Sequence, residues 1–233
     1  MAFTLFIGNK NYSSWSMRPW VLMTQAGIPF TERALRLDSF EADSQFKQTI
    51  LSVNPVGKVP VLVNTDLGPN LTIWDSLAIC EYLAETYPEL HLWPTDKAAR
   101  ARARSLCSEM HSGLTPLRSH CPMNIEAHLP EVGARLLQDH ADLRASLQRV
   151  VTMWQTELAQ HGGPMLFGKF SIADAFFAPV CMRLRSYALT VPADVQAYID
   201  RVVALPSVSR WMQEALAEKD FMASQEPYRS APQ

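Results

Sequence analysis

The pattern of apolar residues changes roughly a third of the way along the chain, and this change constrains the fold more than any other feature. Up to about residue 85, short apolar runs that suit buried strands alternate with helical patterns. After about residue 95, every periodic stretch is helical and none has the character of a strand. We therefore expect an α/β domain over residues 1–86 and an all-helical domain over residues 96–233, joined by a linker at 87–95.

The first domain has the predicted order βαβαββα. Its apolar and β-branched runs favour strands at 3–7, 30–37, 59–63 and 71–74, and its helical patterns lie at 16–26, 42–51 and 76–87. Gly27 suits the position after a helix, and Asn54-Pro55 ends the second helix. Turn residues at 64–70 predict that the last two strands form a hairpin.

The second domain is predicted to contain five helices. They lie at 96–120, 131–160, 171–188, 193–204 and 207–218. Pro130, Pro192 and Pro206 sit at helix starts, where a missing N–H does no harm. Ser171 and Asp174 have the spacing of a capping box that starts a buried helix, and Pro179 should kink that helix.

Composition excludes several classes of protein. Lys+Arg 21 against Asp+Glu 23, with no basic run, argues against a nucleic-acid partner. No apolar stretch approaches the ~18 residues of a membrane helix, and the first ten residues lack a basic leader, so we expect a mature cytoplasmic protein. The four cysteines are scattered without a Cys-x-x-Cys pair, which favours reduced thiols and no metal: Cys80, Cys107, Cys121 and Cys181.

Serines precede the first predicted helix. Pro19 should fall in the first helical turn, so Ser16 or a neighbour caps the helix, and Ser13 and Ser14 lie just before its N-terminus. Free N–H groups and the positive end of the helix dipole meet there, which suits an anion. Alternatively, these serines only cap the helix.

Two further motifs stand at the edges of predicted strands. In Asn54-Pro55-Val56-Gly57-Lys58-Val59-Pro60, a cis Val59-Pro60 bond would turn the Val59 backbone outward for a ligand. Asp75-Ser76 ends one strand and opens a helix. It either caps that helix or forms a clamp in which Asp75 takes an ammonium group and Ser76 a carboxylate.

Taken together, these motifs resemble the glutathione S-transferase superfamily, over nearly the whole chain. The resemblance rests on Ser13-Ser14, the 54–60 motif, Asp75-Ser76-Leu77-Ala78-Ile79-Cys80-Glu81-Tyr82-Leu83 and Ser171-Ile172-Ala173-Asp174. The Ser-Ser-x-Ser-x-Arg pattern is most similar to the zeta, theta and related bacterial serine-type members. The fold that the resemblance implies is a thioredoxin-like domain followed by an all-helical domain.

The resemblance also implies roles for individual residues. Ser14, or Ser13, would donate a hydrogen bond to the sulfur of glutathione, the co-substrate, and Trp15 would shape the sulfur pocket. Glutathione would also be bound by residues of the other two motifs: Lys58 near its glycyl carboxylate, Val59 beside Pro60 against its cysteinyl backbone, and Asp75 and Ser76 at its γ-glutamyl end.

The second domain would supply the pocket for a small hydrophobic electrophile. The implied residues are Met110, His111 and Arg118. Alternatively, Met110 fills a gap in the core, and the other two make polar contacts between helices. Members of the family are typically cytosolic homodimers.

The implied activity is that of a glutathione transferase, in which a thiolate attacks an electrophilic carbon. The alternatives are a glutathione-dependent isomerase or peroxidase, and a non-catalytic binding protein with the same fold. Zeta members carry a cysteine where this chain has Trp15, which argues against maleylacetoacetate isomerase activity. No cysteine lies near Ser13 or Ser14, which argues against thiol transfer through a mixed disulfide.

Overall fold

A computed structural model describes residues 2–67 and 71–231 of the chain. The first part contains β1 (Phe3–Gly8), α1 (Ser14–Gln25), β2 (Thr31–Leu35), α2 (Gln45–Leu51), β3 (Val61–Asn64), β4 (Leu71–Trp74) and α3 (Ser76–Thr86). This order confirms the predicted βαβαββα arrangement. The predicted turn at 64–70 falls partly outside the described residues, because residues 68–70 do.

The four strands form one mixed sheet in the order β2-β1-β3-β4. Strand β1 is parallel to β2 and antiparallel to β3, and β3 and β4 form an antiparallel pair, as the hairpin prediction requires. Val61, which begins β3, pairs with Phe6 near the end of β1 and with Trp74 at the end of β4. The segments that follow β1, precede β3 and follow β4 therefore meet at one end of the sheet.

The second part is helical. It contains α4 (Lys97–Ser112), α5 (Thr115–His120), α6 (Pro130–Asp139), α7 (Ala141–His161), α8 (Ile172–Ser186), α9 (Ala193–Val203) and α10 (Pro206–Glu218). Short 3-10 turns lie at Pro88–Leu90 and Ala223–Gln225. Among the described residues, every helix is too short or too polar to cross a lipid bilayer.

The single helix predicted at 96–120 is wrong, because the chain forms two helices there. Helix α4 ends at Ser112, Gly113 is its C-cap, and Leu114 takes a left-handed conformation before α5 begins. Pro116 lies in the first turn of α5, where the N–H that it lacks is not needed. The same missing N–H would have interrupted a continuous helix.

The helix predicted at 131–160 is also two helices, α6 and α7, separated at His140. His140 has extended backbone angles and is the N-cap of α7. The Arg144 guanidinium donates through Nη1 to the carbonyls of Leu137 (2.6 Å) and Gln138 (2.9 Å) in the last turn of α6. These bonds satisfy carbonyl groups that the helix end leaves free, so the break costs little.

Helix α8 is the centre of the helical part and is almost completely buried. Its predicted capping box is confirmed: the Ser171 hydroxyl accepts from the N–H of Ala173 (3.3 Å), and Asp174 Oδ2 accepts from the N–H of Ser171 (2.9 Å). Pro179 lies inside the helix, as predicted. Helix α1 packs directly against α8, so the first part of the chain shares a continuous apolar core with the second.

Candidate functional site

Helix α1 begins two residues earlier than the sequence predicts. Ser14 is its first residue and Ser13 its N-cap, because the carbonyl of Asn9 accepts from the N–H groups of Tyr12 (3.1 Å) and Ser13 (2.8 Å) and turns the chain early. Pro19 consequently lies inside the helix, and its predicted place in the first turn is wrong.

The three serine hydroxyls have different surroundings. Ser16 is completely buried, and its Oγ accepts from the N–H of Gly8 (3.1 Å) and from the hydroxyl of Ser13 (2.7 Å). Ser14 Oγ accepts from Nη2 of Arg183 (3.1 Å), and within the described residues its own hydroxyl proton has no acceptor. Ser16 is therefore a structural residue, and Ser14 keeps a proton that it can donate to a ligand.

Two backbone donors lie beside Ser14. Within the described part of the chain, the N–H groups of Trp15 and Ser16 have no acceptor, as is usual in the first turn of a helix. They add partial positive charge at the point where the Ser14 hydroxyl is free. This end of α1 is suited to hold an anion.

The Trp15 side chain packs among cationic groups. The Arg18 guanidinium carbon lies 4.0 Å from the centre of the Trp15 ring, and that of Arg118 lies 5.4 Å from it. Arg18 is fully buried, donates through Nε to the carbonyl of Phe176 (3.2 Å), and leaves Nη1 without a partner in the described residues. Burial lowers the pKa of Arg18 to about 9, so its guanidinium remains charged at neutral pH.

The loop before β3 is held by a buried asparagine. Asn54 Oδ1 accepts from the N–H of Gly57 (3.1 Å), and its Nδ2 donates to the carbonyl of Lys58 (3.2 Å). The Val59-Pro60 peptide bond is cis, as the sequence suggested. Within residues 2–67 and 71–231, the N–H and carbonyl of Val59 make no hydrogen bond, so both are open to a ligand.

The start of α3 combines a strained residue with an unpaired hydroxyl. Asp75 is the N-cap at φ 74°, and its Oδ1 accepts from the N–H of Leu77 (2.8 Å). Its Oδ2 lies 3.1 Å from Nε2 of His111. The Oγ of Ser76 is buried and has no partner among the described residues. Asp75 thus performs the capping role that the sequence allowed, and Ser76 retains an unused donor.

Two adjoining cavities open around these groups. The first has a volume of 470 Å³ and is lined by Val59 and Pro60 on one side and by Asp75, Ser76 and His111 on the other. The second has a volume of 410 Å³ and lies against Ser13, Ser14 and helices α5 and α8. Both cavities share Trp15, Lys58 and Val59 in their linings.

The second cavity is strongly cationic. Its lining includes Lys47, Lys58, Arg118 and Arg183, and no aspartate or glutamate belongs to it among the described residues. Four aromatic side chains also line it: Tyr12, Trp15, Phe40 and Phe46. This combination suits a molecule with an apolar body and an acidic group.

The structure places the three residues predicted for the co-substrate pocket in three different surroundings. Arg118 lines the second cavity. His111 lines the first cavity, where it faces Asp75. Met110 lines neither, because it is completely buried and its sulfur accepts from Nη2 of Arg18 (3.1 Å). Met110 is therefore a core residue, in line with the alternative reading of the sequence.

Arg183 is one of the residues at this site that the sequence did not reveal, together with Arg18 and Lys47. It lies on α8, some 170 positions after Ser14. The sequence of α8 is typical of a core helix and does not indicate that Arg183 belongs to a site. Only the packing of α1 on α8 brings Arg183 and Ser14 together. The one available hint was the position of Arg183 between two apolar neighbours, Met182 and Leu184.

Other candidate ligand residues lie away from the two cavities. All four cysteines are buried with free thiols. Burial raises the pKa of Cys121 to about 12, so this thiol is protonated at neutral pH. In the part of the chain that the structure describes, His120, His140 and Asp142 have ligand atoms within 4.8 Å of one another, near the surface. None of these three residues lines either cavity.

Comparison with known families gives two matches. The family model for the glutathione S-transferase N-terminal domain matches residues 12–86, and that for the glutathione S-transferase C-terminal domain matches residues 98–214. The two matches follow each other in the order of the α/β and helical parts.

Individual proteins and structures are similar as well. A Caenorhabditis elegans protein described as "Probable maleylacetoacetate isomerase" is 36% identical over 46% of this chain and 46% of that protein, so the alignment spans less than half of the relative. Glutathione S-transferase 1 of Dianthus caryophyllus is 30% identical over 72% of this chain and 71% of its own length. A glutathione transferase homologue from Burkholderia, crystallised with bound glutathione, has 25% identity and a TM-score of 0.67, covering 93% of this chain and 99% of its own.

Proposed function

The chain belongs to the glutathione S-transferase family, and we propose that it activates glutathione as a thiolate and joins it to an electrophilic co-substrate. The observation that carries this proposal is the Ser14 hydroxyl at the start of a helix: among the described residues its proton has no acceptor, and the cavity that it lines has no aspartate or glutamate. The glutathione-bound Burkholderia homologue supports glutathione as the ligand.

In this proposal glutathione occupies the first cavity. The open N–H and carbonyl of Val59 pair with the cysteinyl backbone, next to the cis bond to Pro60. Asp75 binds the γ-glutamyl ammonium group, and the unused Oγ of Ser76 binds the carboxylate beside it. Lys58 is exposed and reaches the glycyl carboxylate.

The sulfur would then lie beside Ser14 and Trp15, where the two cavities adjoin. A free thiol with a pKa of about 8.5 is mostly protonated at neutral pH, and each unit of depression requires ~1.4 kcal/mol of selective thiolate stabilisation. One charge-assisted hydrogen bond and a helix N-terminus supply this amount. The thiolate attacks an electrophilic carbon, a C–S bond forms, and the leaving group departs with its electron pair.

The electrophile would occupy the second cavity. A purely hydrophobic molecule suits the aromatic wall but leaves the charges of Lys47 and Arg118 without an anion. We therefore propose an electrophile that has an apolar body and an acidic group, with Arg118 as the main anchor. Its Nε is buried and has no partner in the described residues.

The cationic cavity also favours a second candidate, isomerisation of an unsaturated acid. The thiolate would add to one carbon of a double bond, the intermediate would rotate about the resulting single bond, and elimination of the thiolate would restore the double bond. The similarity to the Caenorhabditis elegans protein supports this candidate, whereas Trp15 differs from the cysteine expected of zeta members.

We further propose a cytoplasmic homodimer whose chain divides at 1–86 and 96–233, with a linker at 87–95. Leu71, an exposed apolar side chain on the edge strand β4, supports an interface between subunits, whereas the exposed Trp74 on the same strand lines the first cavity. Sedimentation equilibrium would measure the oligomeric state, and a monomer at micromolar concentration would contradict the dimer.

The proposal is tested by the ultraviolet absorbance of bound glutathione thiolate as a function of pH. We expect glutathione to bind and its thiol to titrate one to two units below the free thiol, about pKa 8.5. Absence of binding, or a normal titration, would overturn the proposed activity and favour a non-catalytic binding protein.

Two serine variants identify the hydroxyl involved. Ser14→Ala should lower turnover of glutathione with chlorodinitrobenzene, an aryl halide probe, by ~10² or more. Ser13→Ala is the matched control, because the Ser13 hydroxyl is bonded to Ser16 and should matter less. A larger loss in Ser13→Ala than in Ser14→Ala would transfer the role to Ser13.

A further inference from the structure

Arg183 is a buried cation that has no counterion among the described residues. The residue is 5% exposed, and within residues 2–67 and 71–231 no carboxylate oxygen lies within 4.0 Å of its side-chain nitrogens. Burial lowers its pKa to about 10, so it stays charged at neutral pH. A buried charge normally has a partner of opposite sign, and the residues that the structure describes supply none here.

Three hydrogen bonds fix the Arg183 guanidinium in one orientation. Nη1 donates to the carbonyls of Cys121 (2.5 Å) and Arg118 (3.4 Å), and Nη2 donates to Oγ of Ser14 (3.1 Å). Its Nε is buried and has no acceptor in the described part of the chain. The side chain is therefore held rigidly against the hydroxyl that the proposed mechanism uses.

The other titratable groups nearest to this position are cationic or neutral, except for Glu226, a buried carboxylate that accepts from the Tyr12 hydroxyl (2.8 Å) and is paired with Arg229. Arg18 and Arg118 are the nearest charged neighbours, Lys47 and Lys58 line the same cavity, and the neighbouring protonated groups are Cys121, Tyr187 and Tyr12. Burial raises the pKa of each of these three groups far above 7. In the described part of the chain, no carboxylate lies within 4.0 Å of the guanidinium groups of Arg18, Arg118 or Arg183, so their positive charge favours an anion beside Ser14.

The hydrogen bond also decides how Ser14 can act. Because Nη2 of Arg183 occupies a lone pair of Ser14 Oγ, the hydroxyl proton must point elsewhere, and the described residues offer it no acceptor. A hydroxyl that accepts from a cation is a stronger donor to an anion, since the two hydrogen bonds polarise each other.

We infer that Arg183 is a positioning residue for the thiolate: it orients the Ser14 hydroxyl toward the sulfur and, through that hydrogen bond, lowers the pKa of the bound thiol. This inference rests on the proposed function, because it requires glutathione at Ser14. The helical part of the chain thereby contributes directly to thiol activation, in addition to lining the co-substrate cavity.

The test measures the thiol pKa of bound glutathione in variants of the full-length protein. Arg183→Gln should raise that pKa by about 1 to 2 units, because it removes a cation beside the reacting group. Arg183→Lys keeps the charge and should restore at least half of the shift. Arg185→Gln is the matched control, since Arg185 is an exposed residue of the same helix and should leave the thiol pKa unchanged.

A double-variant cycle tests whether Arg183 acts through Ser14. In a Ser14→Ala background, Arg183→Gln should shift the thiol pKa by clearly less than it does in the wild type. An equal shift in both backgrounds would overturn the route through the hydroxyl. An unchanged thiol pKa in Arg183→Gln would overturn the inference altogether.

Failure of the inference is distinguishable from failure of the proposed function. If wild-type protein binds glutathione with a lowered thiol pKa, and the Arg183 variants show the same thiol pKa as wild type, the inference alone fails. If wild-type protein does not bind glutathione, the proposed function fails and the inference with it. Should Arg183→Gln not fold, Arg183→Lys takes its place: a thiol pKa raised by about 2 units, the full effect expected of removing the charge, would contradict the charge effect.

Discussion

Replacing Asp75 with glycine should separate binding from stability. The residue has φ 74° and ψ 130°, a backbone conformation that glycine adopts freely and that costs other residues on the order of 1–3 kcal/mol. Two effects of glycine lower the free energy of unfolding: it is a weaker N-cap than aspartate by only a few tenths of a kcal/mol, and its greater freedom in the unfolded chain costs ~0.7 kcal/mol. We therefore expect Asp75→Gly to raise the free energy of unfolding by about 1 kcal/mol.

The same change should weaken the binding of glutathione. Loss of a hydrogen bond to a charged group costs about 1.5–3 kcal/mol, which corresponds to a roughly 10- to 150-fold rise in the dissociation constant. Urea titration followed by circular dichroism measures the stability, and isothermal titration calorimetry measures the affinity. Asp75→Asn should retain the helix cap and most of the stability while losing the same affinity.

Asp96 provides the matched control. It is the N-cap of α4 and accepts from the N–H of Ala99 (2.8 Å), but its φ is -64°. With no strain to relieve, Asp96→Gly should lower the free energy of unfolding by about 1 kcal/mol. If both glycine variants lose equal stability, the strain argument at Asp75 is refuted, and unchanged affinity in Asp75→Gly would refute its role in the clamp.

Two further outcomes concern stability. Burial raises the pKa of Asp174 to about 6, so the folded state favours the protonated carboxyl group. This preference adds about 3 kcal/mol to the free energy of unfolding below about pH 4, and the contribution is lost as the pH rises through about 6. Urea titrations at several pH values measure this pH dependence of the free energy of unfolding, and Asp174→Asn should remove it. An unchanged pH dependence in that variant would exclude Asp174 as its source. Gly133→Ala should cost about 3 kcal/mol or more, because its Cβ would lie 1.9 Å from the carbonyl oxygen of Tyr187. Ala134→Gly, at an exposed position of the same helix, should cost only about 1 kcal/mol, and an equal loss in both would contradict the overlap.

Local signals were sufficient to predict the order of elements. β-branched runs such as Val59 to Val63 indicated strands, and the spacing of Ser171 and Asp174 indicated a capped helix. Gly113 and Pro116 indicated the break after Ser112, but the helical spacing of the apolar residues around them led to the prediction of a single helix. The break at His140 has no glycine or proline to mark it, and the carbonyls there are satisfied by a side chain of the next helix, the Arg144 guanidinium.

The site was predictable only where one segment carries it. The loop at Val59 and the cap at Asp75 could be recognised because each motif includes both the turn residues and the candidate ligand groups. The contact between Ser14 and Arg183 depends on how two helices pack, and the burial of Met110 depends on which way its helix faces. Such relations arise from tertiary packing, which residue patterns along one segment do not encode.

The bond between α8 and the first residue of α1 bears on how such a protein can be divided and recombined. A fragment that ended before residue 96 would contain the serine, the loop and the cap, but it would lack the guanidinium that orients the hydroxyl. Exchange of whole helical domains between relatives would therefore be constrained by one side chain at the domain boundary. A recombined protein would keep the contact only if one half supplied Ser14 and the other supplied Arg183.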